Sequence, residues 1–164
     1  MLWLFISFEL VACHIYTFKD VSIPPNIKTV KINFIENKAR YVNPQLSPQL
    51  TDALQQKIIN QTRLTRTSND DAHYVISGQI TNYDVSTVGV SNQGSATGEF
   101  TNQLTVNVHI SLKNNSNNKT DEFDISQSIP FDGRRTLQEV EATLLSGVIK
   151  NLVDALFNRL FSNW

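Results

Sequence analysis

This sequence contains few cysteine and histidine residues, and it has no large excess of charge of either sign. Fourteen lysine and arginine residues balance 15 aspartate and glutamate residues, and no long basic run is present. The sequence therefore has no basic patch that would attract the phosphate backbone of a nucleic acid. The single cysteine cannot form an internal disulfide bond, and with three scattered histidines it cannot supply a thiolate metal cluster. These shortages argue against nucleic acid as a partner and against a metal cofactor.

Length and composition are those of one folded domain. A chain of 164 residues can bury a single core but is short for two domains of typical size. Hydrophobic residues make up 40% of the chain and charged residues only 18%, and asparagine, glutamine, serine and threonine replace the missing charge. We expect one domain with a polar but weakly charged surface.

The first 13 residues combine a short apolar run with the only cysteine. Residues 1–8 are almost wholly apolar, and Leu10-Val11-Ala12-Cys13 follows shortly after. The run is too short to span a bilayer, but it has the length of a signal-peptide apolar region ending in small residues. The tetrapeptide resembles the lipobox of bacterial lipoproteins. We therefore predict a signal peptide at residues 1–12 and a lipidated Cys13.

Two features of this segment depart from an ordinary lipoprotein signal. No lysine or arginine precedes the apolar run, which a start assigned too far downstream would explain, and Glu9 lies inside the signal region. A buried amino-terminal strand with an inert core cysteine is the alternative interpretation. If Cys13 is lipidated, we expect a protein tethered to a membrane and not spanning it, because no later apolar run approaches 18 residues.

Residues 13–26 are predicted to form an extended tether and residues 27–164 the folded domain. Pro24-Pro25 forbids a helix where the tether meets the domain. Alternation of apolar and polar residues, the period-2 pattern of a half-buried strand, begins just after it. The apolar members of this first strand are Val30, Ile32 and Phe34.

Two helices are predicted from their start signals and apolar spacing. Ser47 followed by Pro48 predicts an N-cap and first turn for a helix that ends near Arg63. Thr136 and Glu139 have the spacing of a capping box before a second, longer helix. That helix carries an apolar stripe with spacings of three and four residues, formed by Leu137, Val140, Leu144, Leu145, Val148, Ile149, Leu152, Val153, Leu156, Phe157, Leu160 and Phe161.

Three further strands lie between these helices. Alternation marks residues 74–81, 100–112 and 123–131, and the polar segments 91–98 and 114–119 are predicted to be the loops that connect them. The order is therefore β-α-β-β-β-α. We predict an α+β fold, a two-layer sandwich in which two helices pack on one face of a four-stranded mixed or antiparallel sheet.

Nothing in the sequence has the spacing of a catalytic or cofactor site. No Gly-x-Ser-x-Gly elbow is present, and the glycines at 89, 94 and 98 lack the spacing of a phosphate loop and are not followed by a helix. Asp70, Asp71 and His73 lie close together, but a solvated strand start explains them better than a ligand set does. We therefore predict a protein that is not an enzyme and that has no metal site and no cofactor.

The polar face of the predicted sheet is the most informative surface. It is uncharged apart from one histidine and rich in hydrogen-bonding groups, and it consists of Thr101, Gln103, Thr105, Asn107 and His109 with Gln79 and Thr81 on the neighbouring strand. An ordinary solvated antiparallel sheet explains this pattern. The second interpretation is a docking surface for a partner, since a tethered domain without catalytic groups works by binding.

Short segments in a fixed order carry a resemblance to a known family. The chain resembles the lipopolysaccharide-assembly lipoproteins of the LptE family, in the form found in Bacteroidetes-like bacteria. No single segment is diagnostic, and the resemblance lies in their order over the mature chain. The segments are Tyr16-Thr17-Phe18, Ser22-Ile23-Pro24-Pro25, Lys28-Thr29-Val30, residues 34–37, Leu46-Ser47, Leu50-Thr51, Leu54, Ile58, residues 74–80 and residues 104–108.

The resemblance implies a function and partners. Members of this family resemble plugs seated in the lumen of the outer-membrane β-barrel LptD, where they assist barrel assembly and lipopolysaccharide delivery without enzymatic activity or a cofactor. It implies an outer-membrane, lipid-anchored location, with lipopolysaccharide as a second partner. Arg134 and Arg135 are the local candidates for contact with lipopolysaccharide phosphates. Solvated turn residues are the alternative interpretation of this arginine pair.

Two rival functions come from other classes. The first is a non-catalytic envelope lipoprotein that scaffolds another complex or binds a small ligand. The second is an envelope hydrolase, supported only by scattered serine, histidine and aspartate residues. A deep pocket with convergent polar groups would favour a ligand or a substrate, whereas a filled core with a broad polar exterior would favour the plug.

Overall fold

The computed structural model describes residues 22–91 and 99–162. In chain order, the elements of these residues are β1 (Thr29–Ile32), β2 (Glu36–Asn37), α1 (Leu46–Gln61), β3 (Thr65–Arg66), β4 (Tyr74–Ser91), β5 (Glu99–Asn114), β6 (Lys119–Asp132) and α2 (Leu137–Phe161). The strands form one open sheet in the order β3-β1-β4-β5-β6, with β2 also paired to β4. The predicted α+β fold is confirmed. The predicted number of four strands is wrong, because β2 and β3 are too short to show alternation.

A parallel unit forms the first half of the sheet. β1 pairs in parallel with β4, with Val30 opposite Tyr74, and α1 lies between these two strands in the chain. Parallel neighbours need a crossover connection, for which a helix is the usual solution. β3 pairs in parallel with the other side of β1, and β2 pairs in parallel with β4 further along. The sheet is therefore mixed.

A long antiparallel meander of β4, β5 and β6 forms the second half. β4 continues to Ser91, well beyond the predicted end near Thr81, and it contains irregularities between Ile80 and Asn82 and between Thr87 and Gly89. The register between β5 and β6 is uninterrupted along the whole of β6. The predicted turn at 114–119 is confirmed, and Asn118 occupies the left-handed region with φ 55°, which asparagine tolerates better than most residues.

Both helices cover the same face of the sheet. α2 packs on β6, and α1 packs beside α2. The helices run in the same direction, because Tyr41 before α1 contacts Glu141 near the start of α2, whereas Lys57 contacts Asp154 further along both helices. The predicted stripe of α2 is confirmed as core, and its buried members are Val140, Leu145, Val148, Ile149, Leu152, Val153, Leu156, Phe157, Leu160 and Phe161.

Two predictions about individual side chains are wrong. Phe34 is 54% exposed and Ile35 is fully buried in its place, because β1 ends at Ile32 and the irregular link to β2 changes the direction of the side chains. Ser47 is not the N-cap, since α1 already begins at Leu46. The hydroxyl group of Ser47 is buried and has no hydrogen-bond partner.

The predicted start of α2 is confirmed. Thr136 is its N-cap residue and forms a capping box with Glu139, whose carboxylate accepts a hydrogen bond from the Thr136 backbone N–H at 2.8 Å. Such a box satisfies backbone donors that the first turn leaves without partners. Among the described helices, none combines the length and the hydropathy needed to cross a bilayer.

Candidate functional site: the polar sheet face

The candidate surface is the face of the meander that points away from the helices. On β5, the side chains of Thr101, Gln103, Thr105, Asn107 and His109 lie on this face and are only partly buried, whereas the intervening Leu104, Val106, Val108 and Ile110 are buried under the helices. Because side chains alternate between the two faces of a strand, burial of one set directs the other outward. The centre of this polar sheet face is mainly uncharged.

Hydrogen bonds between side chains connect β5 to β6 across this face. Thr105 Oγ1 and Ser128 Oγ are 2.9 Å apart, and Ser126 Oγ donates to Asn107 Oδ1 at 2.8 Å. His109 Nδ1 lies 2.9 Å from Asp124 Oδ1. Such cross-strand pairs stabilise a sheet by about 0.2–1 kcal/mol each. Asp124, Ser126 and Ser128 therefore belong to the polar sheet face, although only the alternation of β6 with Phe123, Ile125 and Ile129 could have indicated them.

The β4 side of the face differs from the prediction after Gln79. Gln79 is exposed and lies opposite His109, as the alternation of the two strands requires. Thr81 is the extra residue of a β-bulge, and its hydroxyl donates to the Asn107 carbonyl at 3.3 Å. After the bulge, the residues opposite the polar positions of β5 are Asn82, Asp84 and Ser86. The sequence contains no signal that locates this bulge.

Arg134 and Arg135 lie in the turn between β6 and α2. The Arg134 guanidinium makes a two-pronged contact with Asp132, with Nε–Oδ1 and Nη2–Oδ2 distances of 3.0 and 2.9 Å. Hydrogen bonds from Arg134 lower the pKa of Asp132 to about 2. Arg135 Nη2 donates to the Glu139 carbonyl at 3.2 Å. Both guanidinium groups thus have contacts within the turn, and both residues remain exposed.

An open cleft of about 330 Å³ lies beside Arg134. Phe100 forms part of its wall and is 51% exposed, as is Val88 on the neighbouring strand. Gly133 holds this corner together, because its N–H donates to the Phe100 carbonyl at 2.8 Å and a Cβ at this position would lie 2.6 Å from the same oxygen. The corner combines an apolar wall with a guanidinium group.

The Asp70, Asp71 and His73 cluster has a structural role. Asp70 forms an ion pair with Lys31, and the hydrogen bond from that lysine lowers the pKa of the carboxyl group. His73 Nδ1 is 2.6 Å from Thr29 Oγ1, which joins β1 to the start of β4. Within residues 22–91 and 99–162, no group of three or more histidine, cysteine, aspartate or glutamate side chains could hold a metal ion.

A tyrosine pair near the start of α2 is held in its protonated form. Tyr83 Oη donates to Glu141 Oε1 at 2.6 Å and its ring stacks on Tyr41 with centroids 5.3 Å apart. Burial, followed by the hydrogen bond to Glu141, raises the pKa of Tyr83 far above its ordinary value. A phenol held in this way is neither a nucleophile nor a base at neutral pH. The pair fixes the segment before α1 against α2.

A groove between the two helices is another concavity of the described residues. It has a volume of about 540 Å³ and is open to solvent, and its walls include Lys57, Asp154, Ile149 and Val153. Lys57 is held by Asp154 at 2.7 Å and lies 5.2 Å from the centre of the Phe157 ring. Lys57 and Asp154 are thus paired with each other, and Lys150 is the third charged residue of the lining.

The fold and its surface define the class of protein. It is an α+β domain in which helices bury one face of an open sheet while the other face presents a broad polar surface. A family model described as LptE, lipopolysaccharide-assembly, matches residues 27–160. The chain belongs to this family, and the resemblance inferred from the sequence is confirmed. Membership gives the protein a general role in lipopolysaccharide assembly. No curated protein matches the chain.

Solved structures share the fold at low sequence identity. A minor lipoprotein from Acinetobacter baumannii is 16% identical with a TM-score of 0.52, and the match covers 82% of this chain and 92% of that protein. A neuraminyllactose-binding hemagglutinin homolog from Helicobacter pylori is 11% identical with a TM-score of 0.61, and the match covers 90% of each chain. These likenesses establish a shared architecture.

Proposed function

We propose that this protein is a non-enzymatic outer-membrane lipoprotein that plugs and helps to assemble the lipopolysaccharide translocon barrel LptD. The observation that carries the proposal is the match of residues 27–160 to the lipopolysaccharide-assembly family. Cys13, which lies outside the described residues, supplies the lipid anchor in this proposal. No cofactor is required, because the work is done by binding.

The polar sheet face supports a barrel lumen as the binding environment. The inner wall of a large outer-membrane barrel is polar and wet, and the centre of this face offers Gln103, Thr105 and Asn107, which are uncharged donors and acceptors. A surface of this kind forms many hydrogen bonds with a polar wall, and Asp84, which lies opposite Thr105 on this face, is the charge at its centre that the wall must match. We infer that this face contacts the inner wall of the barrel.

The corner at Arg134 supports contact with lipopolysaccharide. Arginine pairs bidentately with phosphate groups, and the exposed ring of Phe100 beside Arg134 suits an acyl chain. Arg134 would exchange its contact with Asp132 for a phosphate oxygen, while Arg135 lies next to it in the same turn. The apolar wall and the guanidinium group match the two chemical parts of a glycolipid.

Charged replacements on the polar sheet face test the proposal. We expect the double variant Thr105→Glu with Asn107→Lys to stay folded with a slightly lower melting temperature, since it loses two cross-strand hydrogen bonds of about 0.2–1 kcal/mol each. The same variant should lose co-purification with the barrel and lower barrel maturation, because docking would bury unpaired charge. The measurement is affinity purification from native outer membrane, with the barrel quantified in each eluate.

A matched control is available on the exposed side of α1. Gln56→Glu with Asn60→Lys introduces the same two charges at exposed helix positions and should leave barrel recovery unchanged. Full barrel recovery with the Thr105 and Asn107 variant would remove this face from the interface. Recovery of a different envelope complex with the wild-type chain would instead support the scaffold function.

A further inference from the structure

β6 is the last strand on its side of the sheet. It pairs with β5 and with no other described strand. Gly133 donates to the carbonyl of Phe100, the residue directly opposite it. In an antiparallel pair, directly opposed residues alternate between hydrogen-bonded and non-hydrogen-bonded pairs. Because the register is continuous, Phe131, Ile129 and the residues at every second position before them also bond to β5.

The intervening residues of β6 therefore direct their backbone groups away from the sheet. These residues are Glu122, Asp124, Ser126 and Ser128, and their N–H and C=O groups form the outward edge of β6. The register leaves these four N–H groups without a partner on β5, and no other described strand lies beside β6. Pro130, the next outward position, has no N–H and ends the row. A row of free backbone groups is a template for another strand.

The two faces of β6 specify which kind of strand fits. On the helix side, Phe123, Ile125 and Ile129 pack against the core but remain partly exposed at the edge. On the other side, Ser126 and Ser128 are small and polar. An added strand continues both faces, so apolar side chains must alternate with polar ones along it. A strand of a transmembrane barrel has this alternation.

The charge of the edge argues against a second copy of this chain. Lys119 pairs with Asp121 and Arg134 with Asp132, and His109 lies 2.9 Å from Asp124, so Glu122 and Asp124 remain the two carboxylates along the outward edge. Two copies paired through this edge would place four carboxylates along one seam, whereas a neutral or basic strand avoids that accumulation of like charge. The occupant is therefore an amphipathic, neutral or basic strand of another protein.

We propose that the outward edge of β6 accepts a strand of the barrel partner before that barrel has closed. This inference rests on the proposed function, because it takes the partner to be a β-barrel. A closed barrel has no free edge, whereas an incomplete barrel exposes one. The contact through β6 is thus temporary and serves assembly, and it is distinct from the contact of the polar sheet face with the finished wall.

Ser126→Pro in the full-length chain tests this proposal, with Ser126→Ala as its matched control. Both variants lose the Ser126 hydroxyl and its bond to Asn107, but only proline removes the outward N–H and places a ring on the edge. Native Pro130 occupies an equivalent outward position. We expect the proline variant to slow the appearance of the folded, SDS-resistant barrel several-fold relative to the alanine variant in a pulse-chase experiment, because the two variants differ only at the outward edge.

Equal maturation rates for the two variants, with wild-type co-purification intact, would overturn the edge proposal and leave the proposed function standing. Absence of the barrel from wild-type eluates would overturn both. A photo-crosslinking residue at Gln127, which lies on the helix side of β6 and away from the polar sheet face, gives a second measurement that tolerates a folding defect in the proline variant. It should capture newly made barrel chains early in the chase and lose them later. Capture of a second copy of this chain, or of no protein, would contradict the proposal.

Discussion

Individual residues show where sequence patterns alone do not predict the structure. Ser47 before Pro48 has the spacing of an N-cap, yet α1 begins one residue earlier and Asn43 Oδ1 accepts the hydrogen bond from the Gln45 N–H at 2.8 Å. Packing decided this outcome, because Leu46 is fully buried and extends the helix to bring its side chain into the core. Local capping preferences of about 1 kcal/mol are smaller than the burial of a leucine.

Ser47 is either a helix cap or a buried residue with an unpaired hydroxyl group, and the change in stability on Ser47→Ala has opposite signs in the two cases. We expect this substitution to raise the free energy of unfolding by about 1 kcal/mol, because it removes a buried hydroxyl group without a partner and improves helix propensity. Urea denaturation of the purified chain measures the change. Ser146→Ala on the exposed side of α2 is the control and should gain less, because it changes the same helix propensity but also removes a hydrogen bond to the Thr143 carbonyl. A loss of stability at position 47 would restore the capping role.

Side-chain direction along the strands follows the same logic. The alternation of β5 correctly predicts which of its residues lie on the polar sheet face, because uninterrupted pairing preserves the period of two. Phe34 and Thr81 depart from the predicted pattern because one follows an irregular link and the other lies in a β-bulge. Neither the irregular link nor the bulge can be recognised from the amino-acid composition of its segment. The candidate surface is therefore predictable on β5 and only partly so on β4.

At the scale of elements, long periodic segments were predictable and short ones were not. The stripe of α2 specifies a helix and its buried side, since a stripe of this length must pack. The strands β2 and β3 have two residues each, so they owe their conformation to the neighbouring strands that they pair with and not to a pattern of their own. The length of β4 was underestimated because its second half is largely polar and exposed.

Leu152→Asp tests the role of α2 in the core. Leu152 is fully buried, so an aspartate at this position has no partner for its charge, and we expect the free energy of unfolding to fall by roughly 3 kcal/mol or more. Thermal melting measures the loss. Asn151→Asp adds the same charge at the exposed neighbouring position and should melt almost like the wild type. An unchanged melting temperature for the Leu152 variant would mean that the stripe is an interface and not core.

At the scale of the whole molecule, the architecture and the family were both accessible from the sequence. The order of elements and their apolar faces allow few packings other than a helical layer on one sheet face. The mixed character of the sheet depends on β1 pairing in parallel with β4, which local patterns do not encode. The acidic edge of β6 likewise becomes visible only when the strand order is known.

Attachment to a membrane is a property of the whole molecule that depends on one residue. We expect Cys13→Ser to move the protein from the membrane fraction to the soluble fraction, because lipidation at this position is the proposed anchor. Fractionation of cells that lack the barrel partner measures this without interference from docking. Persistence of the variant in the membrane fraction of those cells would contradict the lipoprotein assignment.

The parallel pairing of β1 with β4 also constrains the order in which the chain completes its fold. Synthesis proceeds from the amino terminus, so Val30 is available long before Tyr74, its neighbour in the sheet. The meander of β4, β5 and β6 joins residues close in sequence, and such local contacts cost less loop entropy than distant ones. β1 therefore has no meander to join until β4 is made, because residues 29–61 of a newly made chain precede the long strand that β1 pairs with.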